Sequence, residues 1–365
     1  MASTPMTARL PARKQLKRIA PSTTMPRKRL CLALQGGGAH GAFTWGVLDR
    51  LLREESLEIE AVSGTSAGAM NGAVLVDALK RGGRQHACEQ LERFWSSISA
   101  AGDRTFKPGR TLYPMFGPNS DWSPLAIWTD LLSLVWSPYD NPFYANVLDE
   151  LIRERLPDFS ALNDNTTPYL FVCATNVKTN RRKIFCPGEL SADALTASAC
   201  LPTHFRSVQV GEEFYWDGGY LGNPALSPLR SPALAADLLI VWINPLNQPE
   251  LPTNARDILD RLNEVTFNAT LLQELEAIDA VNELKANGAA SDSAYKRIRV
   301  HEIKDEPELM ALGLASKSNT DWNFLLKLRD YGRRAAEQWL NKSLKEVGKR
   351  TTADIRGMLR HLESA

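Results

Sequence analysis

Short apolar runs alternate with stretches of helical period from residue 30 onward. Residues 30–34 read as a buried strand, a run of glycines follows, and residues 42–52 carry apolar side chains at helical spacing. The same order returns at once: 59–63 as a strand, a second glycine-containing turn, and 67–79 as a helix ending near Gly82-Gly83. Two successive strand–turn–helix units predict an α/β fold, a mainly parallel central sheet flanked by helices.

Further strands are expected at 169–174 and 183–186, a short helix at 191–199, and a hairpin in which 208–210 and 214–216 flank Gly211-Glu212-Glu213. An apolar strand at 238–243 closes on Asn244-Pro245. Beyond it the character changes, with a long amphipathic helical pattern at 255–285, a strand-like alternation at 297–303 and another helix at 321–340. Residues 251–365 therefore read as a largely helical C-terminal region after a first domain at 30–250. Within that domain, 100–145 is rich in Pro, Gly and aromatic residues, as in Tyr113-Pro114-Met115-Phe116 and Trp136-Ser137-Pro138-Tyr139, with helical pattern only at 126–135. It is expected to be an apolar insertion over the sheet, serving as core packing or as a lid or lipid-contacting surface.

Composition changes this picture little. The 365 residues, 44% hydrophobic and 23% charged, are those of a globular protein with a sizeable core. No segment has the uninterrupted apolar length of a membrane span, and the N-terminus lacks the apolar centre of a secretory signal. Five widely spaced cysteines without a CxxC pair fit a reducing cytoplasm and a packing role. The net charge of +1 hides an asymmetry: residues 1–29 hold eight Lys/Arg and no acid, leaving the rest of the chain net acidic. That basic segment is expected to be a disordered tail, either solubilising or in contact with an anionic membrane.

The chemistry lies in the turns. Gly64-Thr65-Ser66-Ala67-Gly68 encloses a serine between glycines two residues away on either side, the spacing of a nucleophile elbow. Gly36-Gly37-Gly38-Ala39-His40-Gly41 removes Cβ atoms where backbone N–H groups could point at an anionic oxygen. Downstream, the hairpin delivers Asp217-Gly218-Gly219. Gly36, Gly38 and Gly41 also match a dinucleotide-binding spacing, but the second strand leads straight into the serine turn, which a nucleotide site does not need. A Ser-His-Asp hydrolase would need a histidine after the acid; only His301 and His361 follow Asp217, and both read as surface residues.

The ordered set GGGAHG, GTSAG, DGG resembles the patatin-like phospholipase family of lipid acyl hydrolases, over roughly residues 30–245. The resemblance implies a serine–aspartate dyad without histidine: Ser66 as nucleophile, Asp217 as its base, and the amides of Gly36, Gly37 and Gly38 as the oxyanion hole, with Gly41, Gly64, Gly68, Gly218 and Gly219 in support. It implies a cytoplasmic, peripherally membrane-associated phospholipase A or lysophospholipase type of enzyme cleaving lipid carboxylic esters, without cofactor, metal or nucleic acid. Where family members commonly carry Arg or Lys, this sequence has His40; with His204, it is a candidate cleft-lining residue. The alternative from another class is a membrane- or partner-binding protein on the same fold with weak catalysis, carried by the basic tail and the basic, amphipathic stretch 344–362.

Overall fold

A computed structural model describes residues 27–110, 138–140, 146–202, 204–248, 251–253, 255–288, 296–310, 312 and 314–363. The basic tail up to residue 26 and most of the aromatic-rich segment, including the helical pattern at 126–135, lie outside the described residues.

Strand β1 (Lys28–Leu34) leads through a glycine loop into helix α1 (Gly41–Leu52), and β2 (Leu57–Gly64) into α2 (Ala67–Arg110). Gly83 interrupts α2 with φ 77° and ψ −164°, which is why the sequence signals an end there, but the chain resumes as helix beyond it. After α3 (Val147–Arg155) come β3 (Tyr169–Asn176), β4 (Arg181–Phe185), α4 (Ala192–Ser198), β5 (Val208–Val210), β6 (Glu213–Asp217) and β7 (Asp237–Val241). Then follow α5 (Ala255–Ala286), β8 (Arg299–Ile303), α6 (Trp322–Ser343) and α7 (Ile355–Glu363).

The strands form one sheet in the order β5-β6-β3-β2-β1-β7-β8, with β4 also paired to β3. From β3 across to β8 the pairing is parallel; β4, β5 and β6 make the antiparallel end. Both faces are covered, so β1, β3 and β7 are largely apolar rather than alternating with polar residues. In β1, Leu30, Leu32 and Leu34 pack with α1, α2 and α6, while Cys31 and Ala33 point into the cluster formed with Leu271, Leu275 and Ile278 of α5.

The sheet continues past residue 250, where β8 adds to it beside β7. Helix α6 crosses α1 at glycines: Gly46 lies against the Arg329 carbonyl and Gly332 against that of Phe43, and Trp45 stacks on Trp322 with ring centroids 5.9 Å apart. The basic stretch 344–362 is not one continuous helix. It breaks after a single turn at Leu344–Glu346, passes Gly348 at φ 86°, and becomes helical again only in α7, whose Arg356 pairs with Asp279 and Glu283 of α5. Among the described residues no helix is long and apolar enough to cross a membrane.

Candidate active site

Ser66 stands between the C-terminal end of β2 and the N-terminus of α2, half-buried, with φ at 52°. A residue other than glycine in that region costs about 1–3 kcal/mol and persists only where its surroundings enforce it. The enforcement is visible. Gly68 lies directly on the Leu34 carbonyl at the end of β1, and a Cβ on Gly64 would come within 2.5 Å of the Gly68 carbonyl oxygen. The Ser66 N–H donates to Oγ of the buried Ser198 over 3.0 Å. The turn is thereby held shut, with Ser66 at the positive end of α2.

Asp217 reaches the serine through the register of β3. Val172 pairs with Gly64 of β2 and with Phe185 of β4; Ala174 pairs with Lys183 of β4 and with Asp217 of β6. A strand has two edges, so β2 and β6 share the edge opposite β4, running toward each other. Their C-terminal ends, Gly64 and Asp217, are separated along that edge only by the position of Cys173, a gap of about 7 Å at the usual rise per residue. Ser66 and Asp217 are the residues that meet there. Gly218 allows the closure, since it packs against the Cys173 carbonyl.

The Asp217 carboxyl is 1% exposed. Oδ1 accepts the Gly219 N–H at 2.7 Å, and Oδ2 has no hydrogen bond of normal length among the described residues. Burial pushes its pKa up to about 7, against the opposing pull of the Gly219 amide and the Ser66 hydroxyl. That value suits a general base working near neutrality.

The glycine loop corrects one sequence expectation. Gly36 touches the serine, with its Cβ position 2.7 Å from Ser66 Cβ, but its N–H donates to Oδ1 of the buried Asn223 over 2.6 Å. Its amide is therefore occupied and serves to anchor the loop. The Gly36 carbonyl is held in turn by Asn244 Nδ2 at 2.7 Å, and Gln35 Oε1 accepts the backbone N–H groups of Ile243 and Asn244 at 2.9 and 3.0 Å. No such partner is found among the described residues for the N–H groups of Gly37 and Gly38, which leaves both amides able to donate. Gly38 has φ 59° and lies 2.5 Å, measured from its Cβ position, from the Lys317 carbonyl oxygen, so no other residue fits there. Gly41 opens α1 against Ala67, the residue after the serine.

His40 is buried beneath this loop, its Nε2 2.6 Å from Ser316 Oγ. Burial and the nearby charge of Lys317 push its pKa down to about 3, so the ring is neutral. Lys317, from much later in the chain, lies over the same loop: its Nζ donates to Asn244 Oδ1 at 3.1 Å and to Glu264 Oε1 at 3.0 Å. His204 is exposed on the loop between α4 and β5, beside Phe205. His301 is not a surface residue. It is fully buried in β8, hydrogen bonded to Asp237 at 3.0 Å and Thr352 at 2.8 Å, because β8 lies beside β7 under Trp339 of α6. Its partner Asp237 starts β7 at the N-terminal end of the parallel strands, whereas Ser66 follows the C-terminal end of β2, so the pair cannot complete a triad.

Gln35, Ser198, Asn223, Asn244 and Lys317 were not foreseen from the sequence; each acts on residues more than 70 positions away, with no local signature. Burial pushes the thiols of Cys31, Cys173 and Cys200 up to about 12, which makes them poor nucleophiles. No group of three or more His, Cys, Asp or Glu positioned to hold a metal occurs among the described residues.

A family model described as patatin-like phospholipase matches residues 32–230, more than half of the chain. Among solved structures, VipD from Legionella pneumophila is similar at 14% identity, covering 93% of this chain and 80% of that one with a TM-score of 0.34. ExoU from Pseudomonas aeruginosa, solved with SpcU, is similar at 14% identity, covering 83% of this chain and 53% of that one with a TM-score of 0.24. No curated protein matches.

Proposed function

This chain belongs to the patatin-like phospholipase family, and from that premise we propose that it is a serine-dependent lipid acyl hydrolase working through Ser66 and Asp217. The observation that carries the proposal is the buried Asp217 carboxyl, with a pKa near 7, facing a strained serine on the same edge of β3.

Ser66 Oγ attacks the ester carbonyl as its proton passes to the Asp217 carboxylate. The carbonyl oxygen becomes an oxyanion held by the N–H groups of Gly37 and Gly38, with the N-terminus of α2 adding its positive pole. Collapse expels the alcohol, which takes the proton from Asp217, and leaves the acyl group on Ser66. Water, deprotonated by Asp217, then attacks the acyl-enzyme through a second oxyanion and releases the fatty acid. Asp217 is ionised in the resting enzyme above about pH 7 and needs no histidine between it and the serine.

The substrates proposed are carboxylic esters of phospholipids or related lipids, cleaved as by a phospholipase A or lysophospholipase. The basic charge of residues 1–29 supports their use as a contact with the anionic membrane that presents such lipids. The test is release of fatty acid from phosphatidylcholine and lysophosphatidylcholine micelles. Wild type releases it and Ser66→Ala does not; equal release by the two rules the proposal out.

A further inference from the structure

A second pocket lies at the other end of the sheet. The first residues of β1, β7 and β8 and the turn after α6 enclose a cavity of about 420 Å³, lined by Arg27, Lys28, Arg29, Lys296, Arg299 and Asp237 among others. It is separated from the serine by the length of β1, about 17 Å from Arg29 to Leu34 at the usual rise per residue.

The charges there do not balance. Asp237 is consumed by Arg299 at 2.7 and 3.0 Å, by His301 at 3.0 Å and by the Gly348 N–H at 2.8 Å. Glu60, the other nearby carboxylate, pairs with Arg29 at 2.6 Å. Lys28 spends its ammonium on the carbonyls of Leu344 and Val347 at the end of α6. Lys296 is the telling residue. Its Nζ donates to the carbonyls of Leu234 at 3.1 Å and Ala235 at 2.7 Å and forms no ion pair among the described residues. An ammonium has three donors, so one is left for the cavity. Burial lowers its pKa, against the opposing pull of the Glu60 and Asp237 charges.

Lys296 is part-buried and meets no carboxylate within ion-pair distance among the described residues, while Arg27, Arg29 and Arg299 add three more cations around the same pocket. Residues 1–26 cannot supply the counter-charge, since they contain no acid. A dianionic oxyanion in the cavity would, with Lys296 as a point charge and the free guanidinium edges of Arg27, Arg29 and Arg299 as planar forks.

We propose that this cavity binds a phosphate group, carried by a free phosphorylated molecule or by a lipid headgroup, at a site separate from the one that cleaves esters. The proposal stands whether or not Ser66 is the nucleophile.

The full-length protein is titrated calorimetrically with inorganic pyrophosphate at fixed salt. In parallel it is sedimented with phosphatidylcholine vesicles, with and without phosphatidylinositol 4-phosphate. Wild type is expected to bind pyrophosphate saturably at one site, and Lys296→Met and Arg27→Ser each to weaken it by about tenfold or more. Arg81→Ser, which removes a cation elsewhere on the surface, is expected to leave it unchanged. Arg27 is exposed, so its variant reports even where Lys296→Met does not fold. Vesicle binding that depends on the phosphoinositide and is competed by pyrophosphate assigns the site to a headgroup; pyrophosphate binding without vesicle binding assigns it to a free phosphorylated ligand. Absence of saturable pyrophosphate binding to wild type, or binding that Lys296→Met and Arg27→Ser leave unchanged, overturns the proposal.

Discussion

Gly36 and Asn223 are 187 positions apart in sequence, yet the Gly36 N–H donates to Asn223 Oδ1 over 2.6 Å and Asn223 Nδ2 donates to the Gly36 carbonyl at 3.3 Å. The amide acts as a clamp that fixes the start of the glycine loop; in the proposed mechanism this aims the following N–H groups before substrate arrives. Preorganisation of this kind is where an oxyanion hole gains its advantage over water.

Replacing Asn223 by Ala is therefore expected to leave a buried N–H without a partner. Chemical denaturation should show a loss of about 1–3 kcal/mol. Turnover of a soluble ester should fall more in kcat than in KM, because the defect is in transition-state geometry.

Asp217 sets the pH dependence. Its folded pKa of about 7 lies above its ordinary value of 3.8, so kcat/KM should be full on the alkaline side and fall as pH drops through about 7. An ordinary carboxylate would place that limb near 4. Stability runs the other way. Between 3.8 and about 7 the unfolded chain loses this proton first, so rising pH costs the native state up to about 4 kcal/mol, and the cost persists above 7. Asp217→Asn should abolish turnover while raising the melting temperature at pH 8 relative to wild type.

Gly46 and Gly332 fix the distance between α1 and α6. A Cβ at Gly46 would collide with the Arg329 carbonyl, which is backbone and cannot swing aside. Gly46→Ala should destabilise the fold by about 2 kcal/mol or more, measured by thermal and urea unfolding, and should lower turnover as well, since α1 begins at the glycine loop.

Asp237 makes a contrasting carboxylate. Burial raises its pKa, but hydrogen bonds from His301, Arg299 and the Gly348 amide outweigh burial and hold it well below the usual carboxylate range. The stability it confers is present above its unfolded pKa and is lost as pH falls below about 4. Asp237→Asn should cost about 3 kcal/mol at neutral pH, with the difference from wild type shrinking in acid-unfolding titrations.

The strand–glycine–helix units and the turns that carry Ser66 and Asp217 were legible in the sequence because they rest on short-range features: apolar runs of strand length, glycines at fixed offsets and a hairpin ending in Asp-Gly-Gly. The loop's anchoring was not, since Asn223, Asn244, Gln35 and Lys317 are ordinary polar residues until the chain folds. His301 misled for a related reason. Its charged, alternating strand looks like a surface edge, but pairing with β7 and cover from α6 bury it. The helix end expected near Gly82-Gly83 is met by the non-helical Gly83, whereas the helix that resumes directly after it had no start signal of its own in the sequence.

The central claim, that Ser66 is a nucleophile activated by Asp217, is tested most directly by treating the folded protein with a fluorophosphonate probe and locating the adduct by mass spectrometry. One adduct on Ser66 is predicted, absent in Ser66→Ala and formed far more slowly in Asp217→Asn. An adduct on another residue, or none on a folded wild type at pH 8, would contradict it.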